Sequence, residues 1–442
     1  MEKAYISGQL DKDAAYIKKR FERCSDVVHR RLFIGEGSYE IDMVYMDSMA
    51  DRDLVEGEIL KSLMFGRVNL PRTGCLEAIQ DFYLTTADAK LIDNMEAAVT
   101  EILSGNTVIF GTDAKRALMI NSKKFPMRGV SEAESETTIR GAKDSFTESV
   151  RTNTVLIRRR IRDTRLKAEA MKIGVRTKTD VALMYMEDLV RPQVLEEIKK
   201  RLEAFIIDGI FDSGMLEQMT EKKWYSPFPQ FQSTERPDKA SSALLEGRVA
   251  LIVDNSPMVL LLPVTLACFF QAADDYYNRW GIVCFTRFLR YVSAVTAMVL
   301  PALYIALAGF HTEIFPTSLA LSLTAARQGV PFPLALEVIL MEIAFEILRE
   351  AGIRLPGPMG STLGIVGGLI IGQAAVDANI VSPIVVIVVA LTALSAFTIP
   401  NEGFASAFRL VKFFLILAGT FFGILGVVMG VITVLIHLCS LT

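Results

Sequence analysis

Histidine, tryptophan and cysteine are scarce in this chain of 442 residues: three, two and five. His29, His311 and His437 lie far apart, so their spacing offers neither a metal cluster nor a general base beside a nucleophile. Cysteines 24, 75, 268, 284 and 439 form no CxxC pair, which argues against a zinc site and a disulfide framework and leaves unpaired thiols as the expectation. There is no Walker loop, no GxGxxG, no GxSxG and no HExxH. No catalytic residue, metal or cofactor is therefore expected, and the chain does not read as an enzyme. The opening MEKAYISGQLDKDAAYIKKR has no apolar core of the signal-peptide kind, so the hydrophilic part is expected in the cytoplasm.

Charge is missing from one end. Of 47 Lys and Arg and 50 Asp and Glu, only 12 fall at or after Tyr291. A charged N-terminal region is thus joined to a hydrophobic C-terminal one, the pattern of a membrane protein with a soluble domain. Four apolar stretches, 291–310, 361–376, 380–399 and 410–441, read as spans, and 313–333 is broken by Pro and Gly into a re-entrant or interfacial piece. A fifth span is PFPLALEVILMEIAFEILREAGIRLP (331–356), which carries Glu337, Glu342, Glu346, Arg349 and Glu350. Charges in such a helix face water or other protein. At 100° per residue, Glu342, Glu346, Arg349 and Glu350 share a face roughly 100° wide, with Glu337 opposite. Glu337, Glu342 and Glu346 are the candidates for an acidic, cation-attracting pore; the plainer alternative pairs Arg349 with Glu346 or Glu342. Arg287, Arg290, Arg349, Arg354, Arg409 and Lys412 fall on the cytoplasmic side of alternating spans.

Glycines recur at helical spacing at Gly360, Gly364, Gly368 and Gly372, and again at Gly419, Gly423, Gly426 and Gly430. Small residues so placed let backbones approach, within a subunit or between copies. Two such ladders in few spans suggest a homo-oligomer.

The charged region contains a repeat. YMDSMADRDLVEGEILKSL (45–63) resembles YMEDLVRPQVLEEIKKRL (185–202), and GNTVIFGTDAKRALMI (105–120) resembles GRVALIVDNSPMVLLL (247–262). The step from Tyr45 to Gly105 is 60 residues and from Tyr185 to Gly247 is 62. The expected fold is therefore α+β: an N-terminal region of two related α/β subdomains, then an α-helical transmembrane domain of about five helices. Boundaries are placed at 1–127, a polar linker at 128–167, the second subdomain at 168–263, an interfacial amphipathic helix at 264–290, and the transmembrane domain at 291–442. Linker residues Arg158, Arg159, Arg160 and Arg162 form a basic run; a net charge of −3 and few stacking aromatics weigh against nucleic acid and favour a solvated helix or an inter-subunit clamp.

Three segments carry a resemblance: RGAKDSFTESVRTNTVLIRRRIRD (140–163), FPQFQSTERPDKASSALLEGRVALIVDNSPMVLLLP (228–263) and the long block from ALYIALAGFHTEIFPTSL through EILREAGIRLP to IVVIVVALTA. With them the chain resembles the A subunit of GerA-type spore germinant receptors; a stage V sporulation AF-like accessory protein shares the soluble motifs. The resemblance implies a multi-pass protein of the spore inner membrane that works with a permease-like B subunit and a lipoprotein C subunit. It further implies a homo-oligomer, a pentamer, that forms a nutrient-gated channel for monovalent cations. A secondary transporter of ions or amino acids is the alternative.

Overall fold

The computed structural model describes the chain apart from residues 1–3, 35–38, 48, 66–73, 85–87, 125–135, 137, 139, 205, 355–358 and 442, and apart from the side chains of 65, 353–366 and 369. The described residues form two units, one of 1–222 with 231–264, the other of 223–230 with 265–442.

In the first unit, α1 (Leu10–Arg20) leads into β1 (Val27–Ile34) and β2 (Tyr39–Met46). A π-helical stretch, Asp53–Leu60, runs into α2 (Lys61–Phe65), followed by α3 (Cys75–Ala78), β3 (Ala89–Ile92), α4 (Met95–Leu103), β4 (Thr107–Gly111) and β5 (Ala117–Ile120). The second half repeats this with α5 (Val150–Arg158), β6 (Leu166–Ile173), β7 (Thr179–Met186), α6 (Pro192–Ala204), α7 (Ser213–Thr220), β8 (Gln232–Thr234), α8 (Pro237–Leu245), β9 (Val249–Val253) and β10 (Val259–Leu262). The sheet orders, β1-β2-β4-β5-β3 and β6-β7-β9-β10-β8, are the same topology, antiparallel throughout. Helices cover both faces of each sheet, so the inner strands TVIFG and VALIV are buried along their whole length and read as apolar runs without alternation.

Local chemistry is duplicated too. Ser7 donates its backbone N–H and hydroxyl to Asp13 just ahead of α1, and Thr147 does the same to Asn153 just ahead of α5. Asp113 and Asn255, at φ 58° and 67°, donate backbone N–H groups to the carbonyls of Gly8 and Glu148. Gly105 and Gly247 end α4 and α8 at φ 90° and 82°; a Cβ at Gly247 would meet the Leu189 carbonyl at 2.6 Å. The two halves join along β6, where Ser25 donates its backbone N–H and its hydroxyl to the Ala168 carbonyl.

The second unit is mostly helical: α9 (Trp280–Phe310), α10 (Thr317–Ala326), α11 (Leu334–Arg354), α12 (Met359–Asp377), α13 (Pro383–Phe397) and α14 (Glu402–Ser440). Among the described residues two helices, α9 and α14, are long and apolar enough to cross a membrane, not about five. Of the other expected spans, α13 has 15 residues, roughly 22 Å against about 30 Å of hydrocarbon, and α11 carries too many charges, while 361–376 falls in α12, whose first half has its side chains outside the described residues. The stretch expected as one interfacial helix, 264–290, is instead two 3-10 turns, Leu266–Phe270 and Ala273–Tyr276, followed by the start of α9. Asp275 breaks the run by accepting from the Ala272 N–H and from Arg287 and Arg290 of α9. Burial opposes its charge, and the two guanidiniums outweigh burial and hold the carboxyl below the usual carboxylate range.

The last stretch is not a single span either. At Gly423 the backbone takes φ 58° and ψ −141°, a region open essentially to glycine alone, and the helix folds back on itself. A Cβ there would meet Phe310 at 3.2 Å and His311 at 3.4 Å, and one at Gly430 would meet Leu415 of the first limb at 2.5 Å. The result is a hairpin of two limbs, roughly 31 and 26 Å long.

Candidate functional site

The charges of α11 meet their partners inside the helical unit. The helix starts after Pro333, whose carbonyl accepts from Leu336 and Glu337. Glu337 is wholly buried. Its Oε1 accepts from Arg327 Nε and Nη2 at 3.2 and 3.1 Å, and its Oε2 from the backbone N–H of Ser382 at 3.0 Å. Ser382 caps α13, whose first residue, Pro383, has no N–H to offer, so the carboxylate sits on the positive end of that helix.

Deeper along α11, Glu342 is 2 % exposed and accepts from Lys412 Nζ at 2.5 Å. Its other oxygen finds no donor among the described residues. One turn on, Glu346 accepts from Lys412 at 3.5 Å and from Arg409 Nη1 at 3.3 Å, with its side chain 28 % exposed. Two carboxylates at i,i+4 on α11 thus face two cations at i,i+3 on the first limb of α14. Arg349 places its guanidinium over the Phe397 ring at 5.5 Å rather than on Glu346 or Glu342. The opposite face of α11, Leu336, Leu340, Ile343 and Ile347, is exposed and apolar.

The glycines pack within the chain. Gly368 lies against Phe345, Gly372 against Val386 and Gly419 against the Ala302 carbonyl of α9; Gly426 meets Ala418 across the fold of the hairpin. Gly360 and Gly364 belong to α12, and their surroundings lie outside the described residues.

The basic run divides. Arg158, 1 % exposed, makes a two-pronged bond to Asp26 at 2.8 and 2.9 Å and donates to the Leu166 carbonyl at 2.7 Å, pinning the approach to β1 against the start of β6. Burial works against its charge, but Asp26 outweighs it and raises the guanidinium pKa. Arg160 holds both oxygens of Asp144 at 2.7 Å, while Arg159 and Arg162 are exposed. A cavity of about 680 Å³ opens at the same seam, lined by Arg23, Cys24, Glu169, Leu195 and Lys199; Glu169 is already taken by Lys199 and Tyr185. Burial pushes the Cys24 thiol pKa up, so it is a poor nucleophile. No group of three metal-ligating side chains occurs among the described residues.

Sequence reasoning placed the carboxylates and missed their partners. Lys412 within FRLVKFFLIL is as anomalous in an apolar run as Glu342, and two anomalies of opposite sign are the signal for a buried pair. Arg236 was passed over as well. Buried to 1 %, it binds Asp238, Thr138 and the carbonyls of Glu136 and Ala142, and so ties residues of the linker to the second sheet.

The chain thus joins a duplicated antiparallel α/β domain to an apolar helical unit with buried ion pairs, two of whose helices are long and apolar enough to cross a membrane. The chain belongs to the Bacillus/Clostridium GerA spore germination protein family, which matches residues 15–442, and so is of the germinant receptor A-subunit kind. It is 40 % identical to spore germination protein KA of Bacillus subtilis, over 99 % of this chain and 80 % of that one. Spore germination protein A1 of the same organism is 38 % identical, over 100 % and 90 %, and the uncharacterized membrane protein YfkQ is 39 % identical, over 99 % and 84 %. The crystal structure of the N-terminal domain of the A subunit of the Bacillus megaterium spore germinant receptor GerK3 is 30 % identical, with a TM-score of 0.48, covering 60 % of this chain and 99 % of that one.

Proposed function

We propose that the chain is the A subunit of a nutrient germinant receptor of the spore inner membrane, with its duplicated domain in the cytoplasm. Copies assemble as a pentamer, beside a permease-like B subunit and a lipoprotein C subunit, and pass monovalent cations when nutrient is sensed. The chain acts as a receptor component and not as an enzyme.

The observation that supports the cation path best is the ion-pair set between α11 and α14, in which Glu342 and Lys412 are buried and Glu346 and Arg409 half-buried. In apolar surroundings such a set is costly unless it serves a polar route or holds two helices in register. At rest each carboxylate is matched by a cation, so the route is closed to ions. Parting α11 from the hairpin frees Glu342 and Glu346, and Glu337 stays as a fixed charge at the end of α13. Freed carboxylates concentrate cations and exclude anions. The apolar outer face of α11 suits lipid or a neighbouring copy.

The test is current through reconstituted protein carrying Glu342→Gln and Glu346→Gln. Loss of cation selectivity supports the assignment; unchanged selectivity removes these residues from the path. Stoichiometric substrate flux without unitary currents would favour a transporter.

A further inference from the structure

The duplicated domain is not symmetrical in one loop. In the first copy five residues connect Tyr83 to Ala89; in the second, eleven connect Thr220 to Gln232. The six added residues fall within KWYSPFPQ, 223–230, and this segment belongs with the helical unit although the chain on either side of it belongs to the first.

Its contacts are specific. The buried Phe228 ring packs on Phe404 at 5.8 Å, Phe408 at 6.0 Å and His437 at 6.1 Å. Ser226 Oγ lies 2.8 Å from His437 Nε2. Lys223 donates from Nζ to the carbonyl of Ser440 at 2.7 Å and to its hydroxyl at 2.8 Å, placing a cation on the C-terminal end of the helix. Gln230 donates to the Lys223 carbonyl and Phe228 to Ser226 Oγ, which closes the segment on itself, and Pro227 and Pro229 stiffen it. Because α14 folds at Gly423, both of its ends arrive here: Phe404 and Phe408 from the first limb, His437 and Ser440 from the second.

We propose that residues 223–230 are a strap through which the duplicated domain acts on the base of the hairpin. The first limb carries Arg409 immediately after Phe408 and Lys412 one turn on. The strap therefore sets the position of the two cations that hold Glu342 and Glu346. A pull on Phe228 shifts them, and a relaxed strap leaves them paired. This device does not depend on whether the assembly conducts ions.

Hydrogen–deuterium exchange on the full chain in lipid nanodiscs tests it. One variant removes residues 224–229, which restores the first copy's loop length; a second is Phe228→Ala. The expected result is exchange about tenfold faster or more at 402–412 and 433–440, with β9 and β10 as protected as in the parent. A core change in α7, the helix that precedes the strap in the chain, Leu216→Val, should alter exchange at the hairpin base in the parent but not in the shortened variant. Unchanged exchange at the base in Phe228→Ala, or an effect of Leu216→Val that is absent or the same with and without the strap, would overturn the proposal. Phe228→Ala decides the first point if the shortened chain does not fold.

Discussion

The pair of Glu342 and Lys412 shows at a single contact how burial turns a charge into a structural commitment. Removing one partner leaves the other buried and uncompensated, so Lys412→Met is expected to cost about 3–5 kcal/mol, read as a lower unfolding midpoint in detergent. Adding Glu342→Leu should recover most of that loss, since two apolar groups can replace a buried pair. A second residue predicts a pH dependence. Burial, with Glu221 and Asp212 nearby, raises the Glu217 carboxyl from 4.5 to about 7. The folded state then holds this proton more tightly than the unfolded one, so its stabilisation is full below about pH 4.5 and is lost as pH rises through 7. Glu217→Gln should raise the thermal midpoint at pH 8 by an amount worth on the order of 2–3 kcal/mol and leave it unchanged at pH 4. Of these residues the sequence made Glu342 visible, because a carboxylate in an apolar run is conspicuous. Its partner lies 70 positions away and no periodicity connects the two.

At the level of elements, Gly423 decides the shape of the C-terminal third. Gly423→Ala forces a Cβ into φ 58° and against Phe310, and should cost about 1–3 kcal/mol or more, seen as lost protection at 424–440 in hydrogen exchange. The hairpin was hidden in the sequence because 410–441 is a nearly continuous apolar run, its one charge, Lys412, lying near the start and no polar break falling at Gly423. Its length was the available clue: 32 residues rise roughly 48 Å, well beyond one bilayer core. The duplication, in contrast, was legible. Tyr and Gly recur with steps of 60 and 62 residues, followed by an Asp turn in each copy, and each marks a strand end, a helix end or a turn that the backbone needs twice. The interfacial helix at 264–290 failed as a reading because aromatic and basic composition says where a segment prefers to lie, not whether it is helical. Asp275, bonded to Ala272, Arg287 and Arg290, settled that locally.

For the whole molecule, the two units interleave along the chain, since 223–230 leaves one and joins the other. Sequence composition separated a charged part from an apolar part near Tyr291, yet a strap of eight residues far upstream could not be assigned by composition, having both charge and aromatics. The glycine ladders suggested neighbouring copies, whereas Gly368, Gly372, Gly419, Gly426 and Gly430 are occupied by contacts of their own chain. Oligomerisation therefore rests on the apolar outer faces and on the receptor reading, and mass measurement in nanodiscs should give a complex of several copies, not a monomer. The most direct measurement is the reversal potential of the reconstituted protein under a salt gradient, parent against Glu342→Gln with Glu346→Gln. Cation selectivity in the parent that collapses in the variant is the expected result; equal selectivity in both would contradict a cation path along α11 and α14.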